Sequence, residues 1–208
     1  LPETAQNSIY YYCFTLAYTF QIYFDFSGYC DIALGLGKLF NINLPFNFDS
    51  PYKSKNIREF WQKWHITLSL FFKDIVFKYS NQRFKKIFNN SFSSVCVAVI
   101  LTFLISGIWH GTGLNFLIWG LLNGLYLLSF LFITNLFKNK SYLRFTVRFK
   151  KLYNFFLIAL NIFIINIFWI FFREQNLSEA IFILKKILIF EAMFDRSTYF
   201  NFFGHYPI

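Results

Sequence analysis

Long apolar stretches alternate with short polar segments along the chain. Apolar side chains dominate residues 9–26, 95–109, 114–137 and 152–172. An α-helix needs about 20 apolar residues to cross a bilayer, so these stretches predict four membrane spans, the first two of them short. We therefore expect an all-α fold, a polytopic integral membrane helical bundle, in which residues 1–208 form a single membrane domain.

Residues 57–79 show a different, amphipathic pattern. Apolar side chains recur at helical spacing, and the charged side chains lie on the opposite arc of the helix. This pattern predicts one amphipathic helix, with Asn56 as its N-cap, that lies in the membrane interface or re-enters the bundle. Residues 177–190 are too short and too charged to span, and they predict a second surface helix.

Composition and charge agree with a membrane setting. The chain is 56% hydrophobic and 14% charged, against about 25% charged residues in soluble domains. Nine of its 20 basic residues lie between positions 53 and 86, and six more lie between 138 and 151. Basic residues clustered beside alternate spans are typical of cytoplasmic loops next to anionic lipid. The pattern predicts a multi-pass protein of the inner (cytoplasmic) membrane, in contact with membrane lipid, and argues against a nucleic-acid partner.

His110 is the first candidate for chemistry. It is the only histidine between Val95 and Phe137, a stretch that contains no Lys, Arg, Asp or Glu. Polar groups at membrane depth are costly and usually functional. His110 is either a general base, with the nearby glycines leaving room for a substrate, or a structural histidine bonded to a carbonyl freed at a helix break. One predicted span separates His110 from each of the two basic loops, so His110 is expected toward the side of the membrane opposite to those loops.

Few other residues suggest a site. His65 lies at the edge of the apolar arc and predicts an inward-facing imidazole, with a catalytic or acyl-positioning role or a structural one. Asp25 and Asp31 predict structural hydrogen bonds to neighbouring helices or pairing with Lys38, and their role stays open. His205 receives no role. The three cysteines are isolated and show no CxxC motif, which gives no reason to expect a metal site or a disulfide.

Four segments carry a resemblance to a known family. Residues 21–33 resemble the Phe-Asp-Phe-Ser-Gly-Tyr-Ser-Asp motif of the membrane-bound O-acyltransferase family. Residues 59–69 resemble Glu-Phe-Trp-Arg-Arg-Trp-His-Ile-Ser-Leu-Ser of its alginate O-acetyltransferase-like bacterial branch. Residues 107–111 resemble Gly-Leu-Trp-His-Gly, and residues 169–173 resemble Trp-x-Phe-Phe-Arg. Their shared order along the chain makes the resemblance specific.

The resemblance implies an O-acyltransferase. Such an enzyme moves an acyl group, usually acetyl, from a cytoplasmic thioester such as acetyl-CoA to a hydroxyl of a cell-surface or extracytoplasmic polysaccharide. It implies that His110 is the catalytic base and that His65 helps to orient the donor or its carbonyl. It also implies an extracytoplasmic acyltransferase partner protein, with no metal and no tightly bound cofactor. The residues that bind the donor stay unknown.

Departures from the family pattern leave alternatives open. Residues 77–83 replace an expected Ile-Pro-Leu-Gly-Gly stretch, and Asn123 stands where many relatives carry histidine, so Asn123 is not assigned to catalysis. The resemblance covers only the C-terminal portion of the family's usual length, and we expect a fragment whose activity on its own is open. The alternatives are D-alanyl transfer to teichoic acid and a transporter or channel gated by His110.

Overall fold

The computed structural model describes residues 8–88, 90–137 and 150–188. Within these ranges the chain forms helices and short turns without any β-strand, which confirms the predicted all-α class. The α-helices are α1 Ser8–Leu39, α2 Ile57–Lys63, α3 Ile66–Phe71, α4 Lys78–Lys85, α5 Ser91–His110, α6 Leu114–Leu136, α7 Lys150–Arg173 and α8 Leu177–Leu188.

Three of the described helices, α5, α6 and α7, are long and apolar enough to cross a membrane. They coincide with three of the predicted spans, and the chain is a multi-pass membrane protein. The predicted span 9–26 lies within α1, a helix of 32 residues. Because α1 is not among the three helices that meet the length and composition requirement, its crossing of the membrane stays a prediction.

Helices α5 and α6 form a close antiparallel hairpin. A Cβ atom on Gly107 would overlap the backbone carbonyl of Phe116, and one on Gly120 would overlap the backbone carbonyl of Phe103. Small residues let helix backbones approach in a membrane, where packing rather than water exclusion drives association. The two glycines therefore set the distance between α5 and α6.

Buried polar side chains join α1 to α7. Asn166 is 1% exposed. Its Oδ1 accepts a hydrogen bond from Thr15 at 3.0 Å, and its Nδ2 donates to the hydroxyl of Thr19 at 2.8 Å. The Tyr52 hydroxyl donates to the backbone carbonyl of Thr19 at 2.7 Å. These bonds attach the segment before α2 to the bundle.

The predicted single helix over residues 57–79 is wrong in its continuity. The helix is interrupted between α2 and α3, where His65 adopts a left-handed conformation with φ of 41°. The physical reason is a competing loop, because Asn47 accepts hydrogen bonds from the backbone N–H groups of Ile66 and Thr67. A π-helical turn, Phe72–Phe77, then connects α3 to α4. A helical wheel contains no information about such a tertiary contact.

Other local predictions hold. Asn56 caps α2 by accepting a hydrogen bond from the Glu59 backbone N–H at 2.9 Å, as the sequence predicted. The helix predicted over residues 177–190 is α8, and residues 189 and 190 lie outside the described ranges. Its apolar face is buried through Ala180, Ile183 and Ile187.

Candidate active site

His110 is the last residue of α5 and lies against the aromatic side chains of two other helices. Its half-buried ring meets Trp119 of α6 edge-on at a centroid distance of 5.1 Å, and Phe172 of α7 at 4.9 Å. The position at the break between two candidate spans is as predicted. No described residue hydrogen-bonds to the His110 ring, so the structural reading, with a bond to a freed carbonyl, finds no support among these residues.

The sequence suggested that the glycines around His110 leave space for a substrate, but in the structure they do not open such a space. A Cβ atom on Gly111 would overlap the ring of Phe116, and the space beside Gly107 is taken by the α5–α6 contact. Gly113 has looser surroundings, with its nearest neighbouring atom at 3.8 Å from a built Cβ. The physical reason for the error is that close helix packing requires glycine as much as substrate access does.

His65 lies at the break between α2 and α3. Its Nδ1 is 3.2 Å from Oδ1 of Asn47, and Phe26 of α1 meets the ring edge-on at 4.7 Å. Burial lowers the pKa of His65 below its usual range, which favours the neutral form of the ring. A non-glycine residue in the left-handed region is uncommon and often marks a functional position.

Both histidines line one cavity of about 520 Å³. This volume lies within the range of about 300–1,000 Å³ that is usual for small-molecule sites. The structure thus brings the two predicted site residues to one cavity. The apolar part of the wall includes Ile22, Phe26, Trp61, Leu68, Phe72, Val99, Phe103, Trp119, Leu131 and Phe172.

Cationic and polar side chains also reach the cavity. The exposed residues Arg58 of α2 and Lys73 of the π-helical turn line it. The Trp61 indole N–H is buried without a hydrogen-bond partner among the described residues. The cavity therefore combines an apolar interior with positive charge near solvent, and it can accept a ligand that carries an apolar and an anionic part.

Asn47 is a site residue that sequence reasoning missed. It lies in a segment that contains Pro45 and Pro51, and prolines in such a polar segment indicate a loop without pointing to any one residue. The chain pattern offered no signal for it, because its importance comes from hydrogen bonds to the distant residues His65 and Thr67.

The remaining candidates lie away from the cavity or outside the described residues. Asp25 and Asp31 are exposed, and neither forms an ion pair with a described residue, so the pairing with Lys38 is not found. Asn123 donates to the backbone carbonyl of Trp119 at 2.8 Å within α6. Within the described ranges, no three His, Cys, Asp or Glu side chains form a group that could hold a metal ion. His205 lies outside those ranges.

Fold and cavity together define a helical membrane protein with a two-histidine site. Residues 5–172 match the model of the MBOAT, or membrane-bound O-acyltransferase, family. The match covers well over half of the 208 residues, and the chain belongs to this family. The resemblance drawn from the four sequence motifs is confirmed.

Curated relatives extend the comparison. A peptidoglycan O-acetyltransferase of Helicobacter pylori is 44% identical over 179 residues, which cover 84% of this chain and 31% of the relative. A probable alginate O-acetylase of Pseudomonas aeruginosa is 33% identical over 88% of this chain and 31% of the relative. A teichoic acid D-alanyltransferase of Streptococcus thermophilus is 36% identical over 52% of this chain and 26% of the relative. The chain thus spans less than a third of the length of these relatives.

Proposed function

We propose that this chain holds the reacting centre of a membrane O-acyltransferase, and that the whole protein transfers an acetyl group from a cytoplasmic thioester to a hydroxyl of an extracytoplasmic glycan. The observation that carries the proposal is the cavity shared by His65 and His110 beside the three candidate spans. Family membership and the O-acetyltransferase relatives support the same reaction. A gated transporter or channel explains neither the family membership nor the similarity to O-acetyltransferases.

His110 is the general base in this proposal. Its ring takes the proton of the acceptor hydroxyl while the hydroxyl oxygen attacks the thioester carbonyl carbon. The carbon–sulfur bond breaks, the acyl group stays on the acceptor as an ester, and the leaving thiolate receives the proton from His110. This role needs an unprotonated ring nitrogen, and no described protein group forms a hydrogen bond with either ring nitrogen of His110.

The donor is an acyl-CoA such as acetyl-CoA, or another acyl thioester. Apolar walls suit the acyl group and the thioester, and Arg58 and Lys73 suit the phosphates of the donor by charge. His65 helps to orient the reactants, and the reaction requires no metal. The basic residues between positions 53 and 86 favour donor entry from the cytoplasmic side of the inner membrane.

The acceptor side is proposed from the relatives. Two of them are named for peptidoglycan and alginate O-acetylation, which favours a cell-envelope glycan as the acceptor. An extracytoplasmic acyltransferase partner protein would receive the acyl group and pass it on.

D-alanyl transfer to teichoic acid is the second candidate. It is supported by the Streptococcus thermophilus relative, which matches about half of this chain. Feeding cells labelled acetate or labelled D-alanine and following the label into the ester-linked groups that mild alkali releases from the envelope polymers separates the two. Label from D-alanine alone would favour this candidate.

The first prediction concerns His110 in the full-length protein. His110→Ala should lower O-acetylation of the cell-surface glycan by about 10²–10⁴-fold, the usual contribution of a general base, as measured by ester release from purified envelope. Ile108→Ala is the matched control, because Ile108 is 57% exposed on the same helical turn, and it should keep acetylation. Undiminished acetylation by His110→Ala at normal expression would remove His110 from the reaction.

A further inference from the structure

The side-chain oxygen of Asn47 has three polar neighbours beside the cavity. Oδ1 of Asn47 accepts hydrogen bonds from the Thr67 backbone N–H at 3.1 Å and from the Thr67 hydroxyl at 2.6 Å. Nδ1 of His65 is 3.2 Å from the same atom. The three contacts come from two residues, His65 at the α2–α3 break and Thr67 in α3.

These contacts define which end of the Asn47 amide faces His65. A backbone N–H is always a donor, so the atom opposite the Thr67 N–H must be the oxygen and not the NH₂ group. The orientation of the Asn47 amide thus follows from the Thr67 backbone N–H, which can only donate.

The same contacts define the tautomer of His65. A carbonyl oxygen has no hydrogen to donate, and therefore the Nδ1 atom of His65 must carry the hydrogen between them. A neutral imidazole has only one N–H, which leaves Nε2 with a lone pair. The ring nitrogen that remains for a ligand of the cavity is consequently an acceptor.

Backbone hydrogen bonds of Asn47 and its neighbour Asp49 fix the position of Asn47. Its carbonyl accepts a hydrogen bond from the Ile66 N–H at 2.9 Å, and two residues later the Asp49 N–H donates to the Lys63 carbonyl at 3.1 Å. This pairing joins the loop to both sides of the α2–α3 break and fixes the amide group relative to the imidazole.

We propose that Asn47 is a positioning residue that holds His65 in the Nδ1–H tautomer, so that Nε2 accepts a hydrogen bond from a hydroxyl of the acceptor other than the attacking hydroxyl, whose proton goes to His110. The assignment rests on the proposed function, and it changes the role expected for His65. A lone pair cannot donate a hydrogen bond to the acyl carbonyl, and His65 therefore holds the acceptor and does not polarise the donor.

The other groups around His65 leave this assignment intact. Phe26 and Phe48 face the ring from α1 and from the loop, and neither offers a polar atom. Titratable or charged groups that share the cavity are His110, Arg58 and Lys73. None of them is a carboxylate that would compete with Asn47 for the Nδ1 hydrogen.

The tautomer can be measured without any catalysis. Full-length protein with ¹⁵N-labelled histidine in lipid bilayers would be examined by solid-state NMR near pH 7, with His65→Gln used to assign the signal. We expect a protonated Nδ1 and an unprotonated Nε2 in the wild type, and a mixture of tautomers in Asn47→Ala. Thr67→Val, which removes another donor to the same oxygen, should leave the His65 signal unchanged. A wild-type Nε2–H tautomer, or an unchanged signal in Asn47→Ala, would overturn the assignment, whatever the protein's activity.

Activity measurements then test the consequence for the reaction. Asn47→Ala should lower kcat on the order of tenfold to hundredfold, part of the usual acid–base contribution. Asn47→Asp keeps the acceptor oxygen and should recover part of this loss. Its added negative charge favours imidazolium and raises the pKa of His65, so the acidic limb of the pH profile should move to higher pH. A purely structural role for Asn47 predicts the loss without any movement of this limb, and that result would refute the positioning role.

Discussion

The half-buried His110 and the buried Asn166 are two polar residues in opposite situations. The His110 ring is surrounded by aromatic side chains and lines a cavity, whereas Asn166 uses both ends of its amide on Thr15 and Thr19. Buried polar groups in proteins are usually paired. The pairing of Asn166 is structural, and the cavity that His110 lines together with His65 is what points to chemistry there.

Asn166 offers a test of the polar contact between α1 and α7. Asn166→Ala leaves the hydroxyls of Thr15 and Thr19 without this partner, which should cost about 1–3 kcal/mol. The measurement is the thermal stability of the purified full-length protein in detergent. Ser129→Ala is the control, because the exposed Ser129 bonds only within its own helix. Equal stability of the two variants would show that the α1–α7 contact does not depend on Asn166.

Single residues also mark the limit of prediction from the sequence. Asn56 was identifiable as an N-cap because capping depends on neighbours along the chain. The importance of Asn47 was not identifiable, because its partners at 65 and 67 become neighbours only after the chain folds.

The three candidate spans and the α2–α3 break show the same contrast for whole helices. Hydropathy located α5, α6 and α7, since a bilayer requires long apolar helices and this requirement is local. The break was missed because the apolar arc continues across it, while the hydrogen bonds that interrupt it come from a loop.

The α5–α6 hairpin yields a prediction about packing. Gly107→Ala places a methyl group against the Phe116 carbonyl and should destabilise the full-length protein by about 1–3 kcal/mol, as overpacking does. Gly113→Ala lies in the connection between the same two helices with ordinary contact distances, and it should be neutral. Thermal denaturation in detergent measures both. If the two variants are equally stable, glycine at 107 is not required for close packing.

The molecule as a whole has two ends with different proposed environments. Antiparallel α5 and α6 place the short connection at 111–113 at the end opposite to the start of α5 and the end of α6. The basic residues of α4 and of the segment after it lie at the start of α5. The proposed topology therefore puts residue 112 outside the cytoplasm and residue 85 inside.

Cysteine labelling checks this orientation. In full-length protein freed of its own cysteines, a membrane-impermeant thiol reagent added to spheroplasts should label Thr112→Cys. Lys85→Cys should react only after the membrane is permeabilised. The two positions are exposed in the structure, so accessibility depends on the side of the membrane. Reversed labelling would contradict the assignment of the basic segments to the cytoplasm.

Transfer by the complete protein is the most direct test of a two-histidine acyl-transfer site. Inside-out membrane vesicles containing the full-length protein, its extracytoplasmic partner protein and the glycan acceptor would receive acetyl-CoA labelled in the acetyl group, and ester-linked label on the partner and on the glycan would be counted. The wild type and Ile108→Ala should transfer label, and His110→Ala should transfer about 10²–10⁴-fold less. Transfer by His110→Ala at the wild-type rate would contradict the proposed site.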